Sequence, residues 1–380
     1  MSTSLAQRIQ KELDLRKNKG LFRMLDAKGA NNGDLIDLAG YDYFELGKHQ
    51  KIIQATKEAI DLYGTASAGS PLVVGYKDIH KELEDTICDW YSAPAAMIWN
   101  TGYIANQSLL KHLPSSGDLI LADRIIHHSM LSGITQSKAG FMRYEHCNLD
   151  HLETLLEKTH SKYNQIFVTT ETVFSMDGNS PDLPRLVNLK KKYPFFLIVD
   201  EAHALGWFGP EGNGLCAQEE LLEHIDILVG TFGKALASQG AFTIFKNSII
   251  KDYLVNTAGG FIYSTYLPPA CAASALAAIE ILRSSEFDRN AIQQNTTTFK
   301  SKLKECNIKT IDGCSPIVPI LINCPDKVLR IQKELLENNI LVGAIRPPTV
   351  PTNTSRLRIS LKYNTDMKAT VTPIIRCVNG

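Results

Sequence analysis

The chain has no surplus of charge: 40 Lys and Arg stand against 40 Asp and Glu over 380 residues. A nucleic acid or an anionic membrane as partner would favour a basic excess, so the balance points to a small ligand. Paired cysteines are missing too. The eight cysteines, at 88, 147, 216, 271, 306, 314, 324 and 377, show no CxxC spacing and no matching Cys/His cluster. They read as reduced thiols, and no metal is expected. Long apolar runs are absent: the most apolar helical stretch, Ala270 to Leu282, is too short to span a bilayer and carries Glu280. Met1 to Lys17 reads as an amphipathic helix without the apolar segment of a secretory signal, so a cytoplasmic location is expected. No repeat or low-complexity segment is evident. The glycine-rich loop from Gly64 to Gly75 lacks the Gly-Lys-Ser/Thr ending of a nucleotide P-loop, which sets phosphoryl transfer aside.

What is present is an alternation. Apolar runs at 35–40, 95–99, 118–123, 165–171, 195–200 and 241–245 read as strands, and helical spacing recurs at 49–63, 79–91 and 269–283. Such alternation predicts an α/β fold, a mainly parallel sheet with helices on both faces. The helix from Pro269 is expected to leave the large domain. Helices near 289–305 and 326–338, with strands near 317–322 and 356–361, suggest a smaller α+β domain. The expected division is an arm at 1–48, a large domain at 49–270 and a small C-terminal domain at 271–380.

The chemistry gathers at strand ends. The run Asp226-Ile-Leu-Val-Gly-Thr231-Phe-Gly-Lys234 delivers one lysine into a turn of small residues that continues to Gly240. Partial burial lowers a lysine's pKa, and a neutral amine adds to an aldehyde to form an imine; a solvated lysine in a glycine turn is the plainer alternative. Upstream, Phe195-Phe-Leu-Ile-Val-Asp200-Glu-Ala-His203 ends a buried strand in an acid. A carboxylate held against a pyridine nitrogen keeps it protonated and makes the ring an electron sink. His203 follows within reach of a ring's phenolic oxygen. The Gly102 turn opens a helix directly after a strand, where free backbone N–H groups can hold a phosphate. The His127-His128 pair offers an imidazole to lie on an aromatic cofactor, or simply begins a surface helix.

Asp200, His203, Thr231 and Lys234 together resemble the pyridoxal-phosphate site of the fold-type I enzymes. From about Arg16 to Leu361 the sequence resembles their α-oxoamine synthase family, which joins an amino acid to an acyl-CoA with loss of carbon dioxide. The likeness rests on Gly75-Tyr76 followed by His80, Gly102-Tyr103-Ile-Ala-Asn106, Ala122-Asp123-Arg124 with His127, Thr170-Glu171-Thr-Val-Phe-Ser-Met-Asp-Gly178, Asp200-Glu-Ala-His203, Thr231-Phe-Gly-Lys234, Ile262-Tyr-Ser-Thr265 and Ile345-Arg-Pro-Pro-Thr-Val-Pro351. The last of these favours the biotin-pathway branch, which condenses L-alanine with pimeloyl-CoA or its carrier-protein thioester.

The resemblance implies pyridoxal 5'-phosphate as cofactor, with Lys234 as Schiff-base lysine and general base. Asp200 would face the pyridine nitrogen, His203 would sit near the phenolic oxygen, and His127 would stack on the ring with Ser175 nearby. Gly102, Tyr103 and Thr231 would hold the phosphate. Ser264 and Thr265 would reach the phosphate of a partner subunit, implying a homodimer with shared sites. Arg23 and Arg356 would engage carboxylates. Three departures fall on the substrate side: Gly69-Ser70-Pro71 where the family has Gly-Ser-Arg, Cys147-Asn148 where it has Asn-Asp, and Tyr41-Asp-Tyr-Phe-Glu45 where it has Asn-Asp-Tyr-Leu-Gly. The rival readings are an aminotransferase or lyase, a relative pairing glycine or serine with another acyl-CoA in the manner of a glycine C-acetyltransferase, and a catalytically silent pyridoxal-binding subunit. The last would be expected to lose the lysine, and Lys234 is present.

Overall fold

The structure, a computed structural model, describes residues 4–25, 35–284 and 287–380. Its contacts form two compact units. The larger comprises Tyr41–Ser175 and Asn179–Ile292; the smaller comprises the chain up to Gly40, Met176–Gly178 and Gln293–Gly380.

The larger unit is built on seven strands: β1 (Ala95–Trp99), β2 (Leu119–Asp123), β3 (Gly140–Tyr144), β4 (Ile166–Glu171), β5 (Phe196–Asp200), β6 (Ile227–Thr231) and β7 (Ala241–Phe245). They lie in the order β1-β7-β6-β5-β4-β2-β3. All neighbouring pairs are parallel except those of β7, which runs against both β1 and β6. Strands buried on both faces read as continuous apolar runs rather than alternations, as Leu-Ile-Leu-Ala in β2 and Leu-Ile-Val in β5 do; these residues are fully buried. The edge strand β3 carries the exposed Met142 and Arg143, and a charge on a sheet edge discourages pairing with another chain.

Helices α1 (Gln50–Tyr63), α2 (Asp78–Tyr91), α3 (Gly102–His112), α4 (His128–Gln136) and α5 (Pro269–Arg283) belong to the same unit. Proline at the first turn and an alanine-rich interior make α5 a strong helix. Its small side chains let it approach α1 and α2 closely. That packing holds α5 in the larger unit, so the division falls after Ile292 rather than at residue 270. The glycine-rich loop is ordered as well. At Pro71–Gly75 one π-helical turn forms, with the N–H groups of Val73, Val74 and Gly75 all donating to the Ser70 carbonyl. A Cβ on Gly75 would stand 2.3 Å from the Gly69 carbonyl oxygen, so the turn requires glycine there.

In the smaller unit, β8 (Ile317–Leu321), β9 (Gly343–Ile345) and β10 (Arg356–Ser360) form an antiparallel sheet in the order β9-β10-β8. Its core joins Val318, Ile320, Leu357 and Ile359 to Phe299, Leu303, Ile331, Leu335 and Ile374. The N-terminal helix Leu5–Asn18 is capped by Ser4, which exchanges hydrogen bonds with Gln7 in a capping box.

Candidate active site

The C-terminal ends of parallel strands collect functional groups because loops leave the sheet there and helix N-termini face it. In the larger unit, β4 ends at Glu171, β5 at Asp200 and β6 at Thr231. A cavity of about 250 Å³ opens over these ends, lined among others by Tyr41, Gly102, Tyr103, His127, Asp200, His203, Thr231 and Lys234. The residues expected from the four motif segments thus converge on one space.

At its centre Lys234 Nζ lies 2.9 Å from His203 Nε2, and His203 Nδ1 lies 2.9 Å from the Tyr43 hydroxyl. The relay fixes the imidazole between an amine and a phenol. Tyr41 meets the His203 ring edge-on at 5.5 Å, and Lys234 Nζ sits 5.8 Å from the Tyr41 ring centre. Asp200 is held by two donors: the Ala202 N–H reaches Oδ1 at 2.8 Å and Asn106 Nδ2 reaches Oδ2 at 2.6 Å. Asn106 Nδ2 also meets Ser129 Oγ at 3.2 Å, and that hydroxyl lies 2.6 Å from His127 Nδ1. One network therefore orients both Asp200 and His127. Burial holds the His127 imidazole below its ordinary pKa, with Lys234 adding to that effect against the pull of Asp200.

Glu171 was not foreseen as a site residue. It sits opposite Asp200 in the β4–β5 register and is buried. Burial, with the Asp200 charge adding, pushes its carboxyl up to about 8, although Lys234 and the backbone N–H groups of His127 and Ser175 pull the other way. Two carboxylates this close do not both ionise readily. Asn106, Tyr43 and Ser129 were likewise given no role. Asn106 lies inside the quoted Gly102 segment, one helical turn on, which was the available signal.

An anion cradle lies at the start of α3. Thr101 caps the helix by accepting from the Ile104 N–H at 3.1 Å, leaving the first N–H groups directed out of the helix end. Thr231 Oγ1 is buried with no hydrogen-bond partner among the described residues. A Cβ on Gly102 would stand 2.6 Å from Thr231 Cγ2, so the floor is open only because residue 102 is glycine. Such a cradle can hold a phosphate.

Other expected residues lie elsewhere. Ser264 is half-buried and Thr265 exposed, and neither lines the cavity; the Thr265 carbonyl accepts from Asn100 Nδ2 at 2.6 Å. Arg23 and Arg356 belong to the smaller unit. Arg23 donates to Thr349 Oγ1 at 2.7 Å, while the buried Arg356 is paired with Asp177 and donates to the Thr354 carbonyl at 3.0 Å.

These groups share one cavity in a chain whose sequence matches a known family. The chain belongs to the class I and II aminotransferases, whose family model matches residues 33–372. Within that family it is 37% identical over 372 residues to the 8-amino-7-oxononanoate synthase of Chlorobaculum parvum, covering 94% of each chain. It is 35% identical over 372 residues to the enzyme of that name from Geobacter sulfurreducens, covering 95% of each. Among solved structures it resembles 8-amino-7-oxononanoate synthase from Francisella tularensis at 30% identity and a TM-score of 0.79, covering 90% of this chain and 96% of that one. Serine palmitoyltransferase from S. paucimobilis, solved with PLP and myriocin, superposes with a TM-score of 0.91 at 25% identity, covering 99% of each chain. The fold is the fold-type I arrangement shared with these neighbours.

Proposed function

We propose that this chain carries out the reaction of the 8-amino-7-oxononanoate synthases. In that reaction L-alanine condenses with pimeloyl-CoA, or its carrier-protein thioester, with loss of carbon dioxide to 8-amino-7-oxononanoate in biotin biosynthesis. The observation that carries this reading is the convergence of Lys234, His203, Asp200 and the Gly102–Thr231 cradle on one cavity, in a chain closely similar to enzymes of that name.

The residues present fit pyridoxal 5'-phosphate. Thr231 Oγ1 and the first N–H groups of α3 suit its phosphate, and the Asp200 carboxylate suits a protonated ring nitrogen. When bound, that cofactor supplies an electron-withdrawing ring that stabilises negative charge at the substrate Cα. Lys234 would anchor it through Nζ and, once displaced by the amino acid, take the Cα proton on Nζ and later return one. His203, held by Tyr43, would orient the phenolic oxygen beside Lys234. Asp200, fixed by Asn106 and the Ala202 N–H, would hold the ring-nitrogen proton. His127, kept from charging by burial, would offer a flat neutral face to the ring.

Gly102, Tyr103 and Thr231 are thus proposed to bind phosphate, and Ser175 to sit near the ring. Arg23 and Arg356 are proposed to bind substrate carboxylates, with Asp177 holding Arg356 until then. Ser264 and Thr265 are proposed to complete the phosphate site of a second copy in a homodimer. None of the eight cysteines is in a disulfide, which suits a reducing, cytoplasmic setting. No helix among the described residues is long and apolar enough to cross a membrane.

The test is product analysis by mass spectrometry. The PLP-loaded protein is given alanine, glycine or serine with pimeloyl-, acetyl-, succinyl- and long-chain acyl-CoA, and with the pimeloyl carrier-protein thioester. Alanine with a pimeloyl donor should give the highest kcat/KM, and Lys234→Ala should abolish turnover. A second reading, a relative using another donor, is favoured by Pro71 in place of a loop cation and by the close superposition on serine palmitoyltransferase. A tenfold preference for a non-pimeloyl donor, about 1.4 kcal/mol in the transition state, would select it.

A further inference from the structure

The cofactor chemistry makes no use of Tyr41, although this residue lines the cavity. The chain around it is firmly held. The Tyr43 N–H donates to the Tyr41 carbonyl at 2.9 Å, and the Asp42 carboxylate accepts from the Leu46 and Gly47 N–H groups, each at 2.9 Å. Tyr43 is fully buried, with its ring edge-on to Trp207 at 5.5 Å and its hydroxyl on His203 Nδ1. Tyr41, two residues earlier, is thereby kept against the same imidazole, which its ring meets edge-on. Lys234 Nζ stands over the Tyr41 ring, 5.8 Å from its centre.

That distance sets a size. An amino nitrogen that takes the place of Nζ carries its first side-chain carbon two bonds away, roughly 2.5 Å off by standard bond lengths and angles. A side chain directed at the ring then has roughly 3.3 Å left to the ring centre, no more than the roughly 3.5 Å that carbon atoms in contact need. There is room for one carbon and none for a second. We infer that Tyr41 selects the amino-acid substrate by size: the face of its ring meets the methyl group of alanine and closes the site to longer side chains. This rests on the proposed use of Lys234 as the point of amino-acid attachment. Asparagine, which the family has in place of Tyr41, is shorter and polar and offers no such face, so the selection belongs to this chain's own residue.

The experiment titrates the PLP-loaded protein with L-alanine and with L-2-aminobutyrate, one methylene longer, without any acyl donor, and reads dissociation constants from the cofactor absorbance. Alanine is expected to bind at least about tenfold more tightly, the least that one methylene is worth in a closed pocket. Tyr41→Ala should bring the two constants close to equality, whereas Tyr41→Phe, which keeps the ring face, should hold the native ratio. Should Tyr41→Ala fail to fold, Tyr41→Asn, with the family's residue, tests the same loss. Native protein that binds both amino acids alike would overturn the inference. So would a Tyr41→Ala protein that binds both more weakly at the native ratio, since a ring that only braced His203 would weaken them equally. Loss of the ratio in Tyr41→Phe would overturn it as well, by moving the selection to the hydroxyl. Native protein that binds neither amino acid would instead overturn the proposed function, and the size selection with it.

Discussion

At the scale of single residues, the informative pair is Glu171 and Asp200, which lie in register on neighbouring strands, with the Glu171 carboxyl held protonated by burial and by the Asp200 charge. Asp200 has two donors, and Glu171 holds its proton up to about 8. The ordinary carboxyl value of 4.5 applies to the unfolded chain. Between those values the folded protein binds a proton that the unfolded chain has lost. The Glu171 contribution to stability is therefore fully present below the unfolded value and falls as pH rises, at up to about 1.4 kcal/mol per pH unit, until it is gone above the folded value. Gln copies the neutral carboxyl and cannot ionise. Glu171→Gln should thus match the native protein in acid, gain on it between the ordinary value of 4.5 and about 8, and level off above, as thermal melts at matched ionic strength would show. A difference in Tm that does not change with pH would contradict the assignment.

Elements determine what a residue can reach, and the α3 N-terminus illustrates this. Gly102→Ala places a methyl 2.6 Å from Thr231 Cγ2, which forces Thr231 out of its place beside the proposed phosphate site. Its PLP affinity, read by absorbance titration of the apoprotein, should fall tenfold or more, about 1.4 kcal/mol. Adding Thr231→Ser removes the clashing carbon and keeps the hydroxyl, so affinity should return in the double variant; if it does not, the loss lies elsewhere. Much at this scale was legible in the chain. The buried strands and α1, α2 and α5 lie close to their expected bounds because apolar runs and helical spacing are local signals. The antiparallel direction of β7 was not readable, since direction depends on how the chain returns and not on composition. Nor was the place of α5, whose packing on α1 and α2 joins segments far apart in sequence. The site followed the same division: Lys234, Asp200, His203 and Gly102 are marked by their local runs, whereas Glu171 gains its role only from lying in register with Asp200.

For the molecule as a whole, the larger unit leaves apolar side chains facing out on two neighbouring segments. Val73 of the π-helical turn is 77% exposed and Tyr263 is 86% exposed, with Leu72 and Val74 beside the former. Large apolar groups gathered on a surface mark an interaction site, and Ser264 and Thr265 adjoin Tyr263. Ser264 and Thr265 do not line their own cavity; in the proposed dimer a second copy docking here would bring those hydroxyls to its partner's cradle. The expected solution mass is about twice the 42.1 kDa of one chain, measured by light scattering. The sharper check mixes Lys234→Ala with the double variant Ser264→Ala, Thr265→Ala, each inactive alone. In a mixed dimer one site carries both lesions and the other carries neither, so full exchange should restore about a quarter of native activity. Were the hydroxyls to serve their own subunit's site, every site in the mixture would keep a lesion. Activity that stays at background after exchange, proven by native mass spectrometry, would place Ser264 and Thr265 outside the shared site.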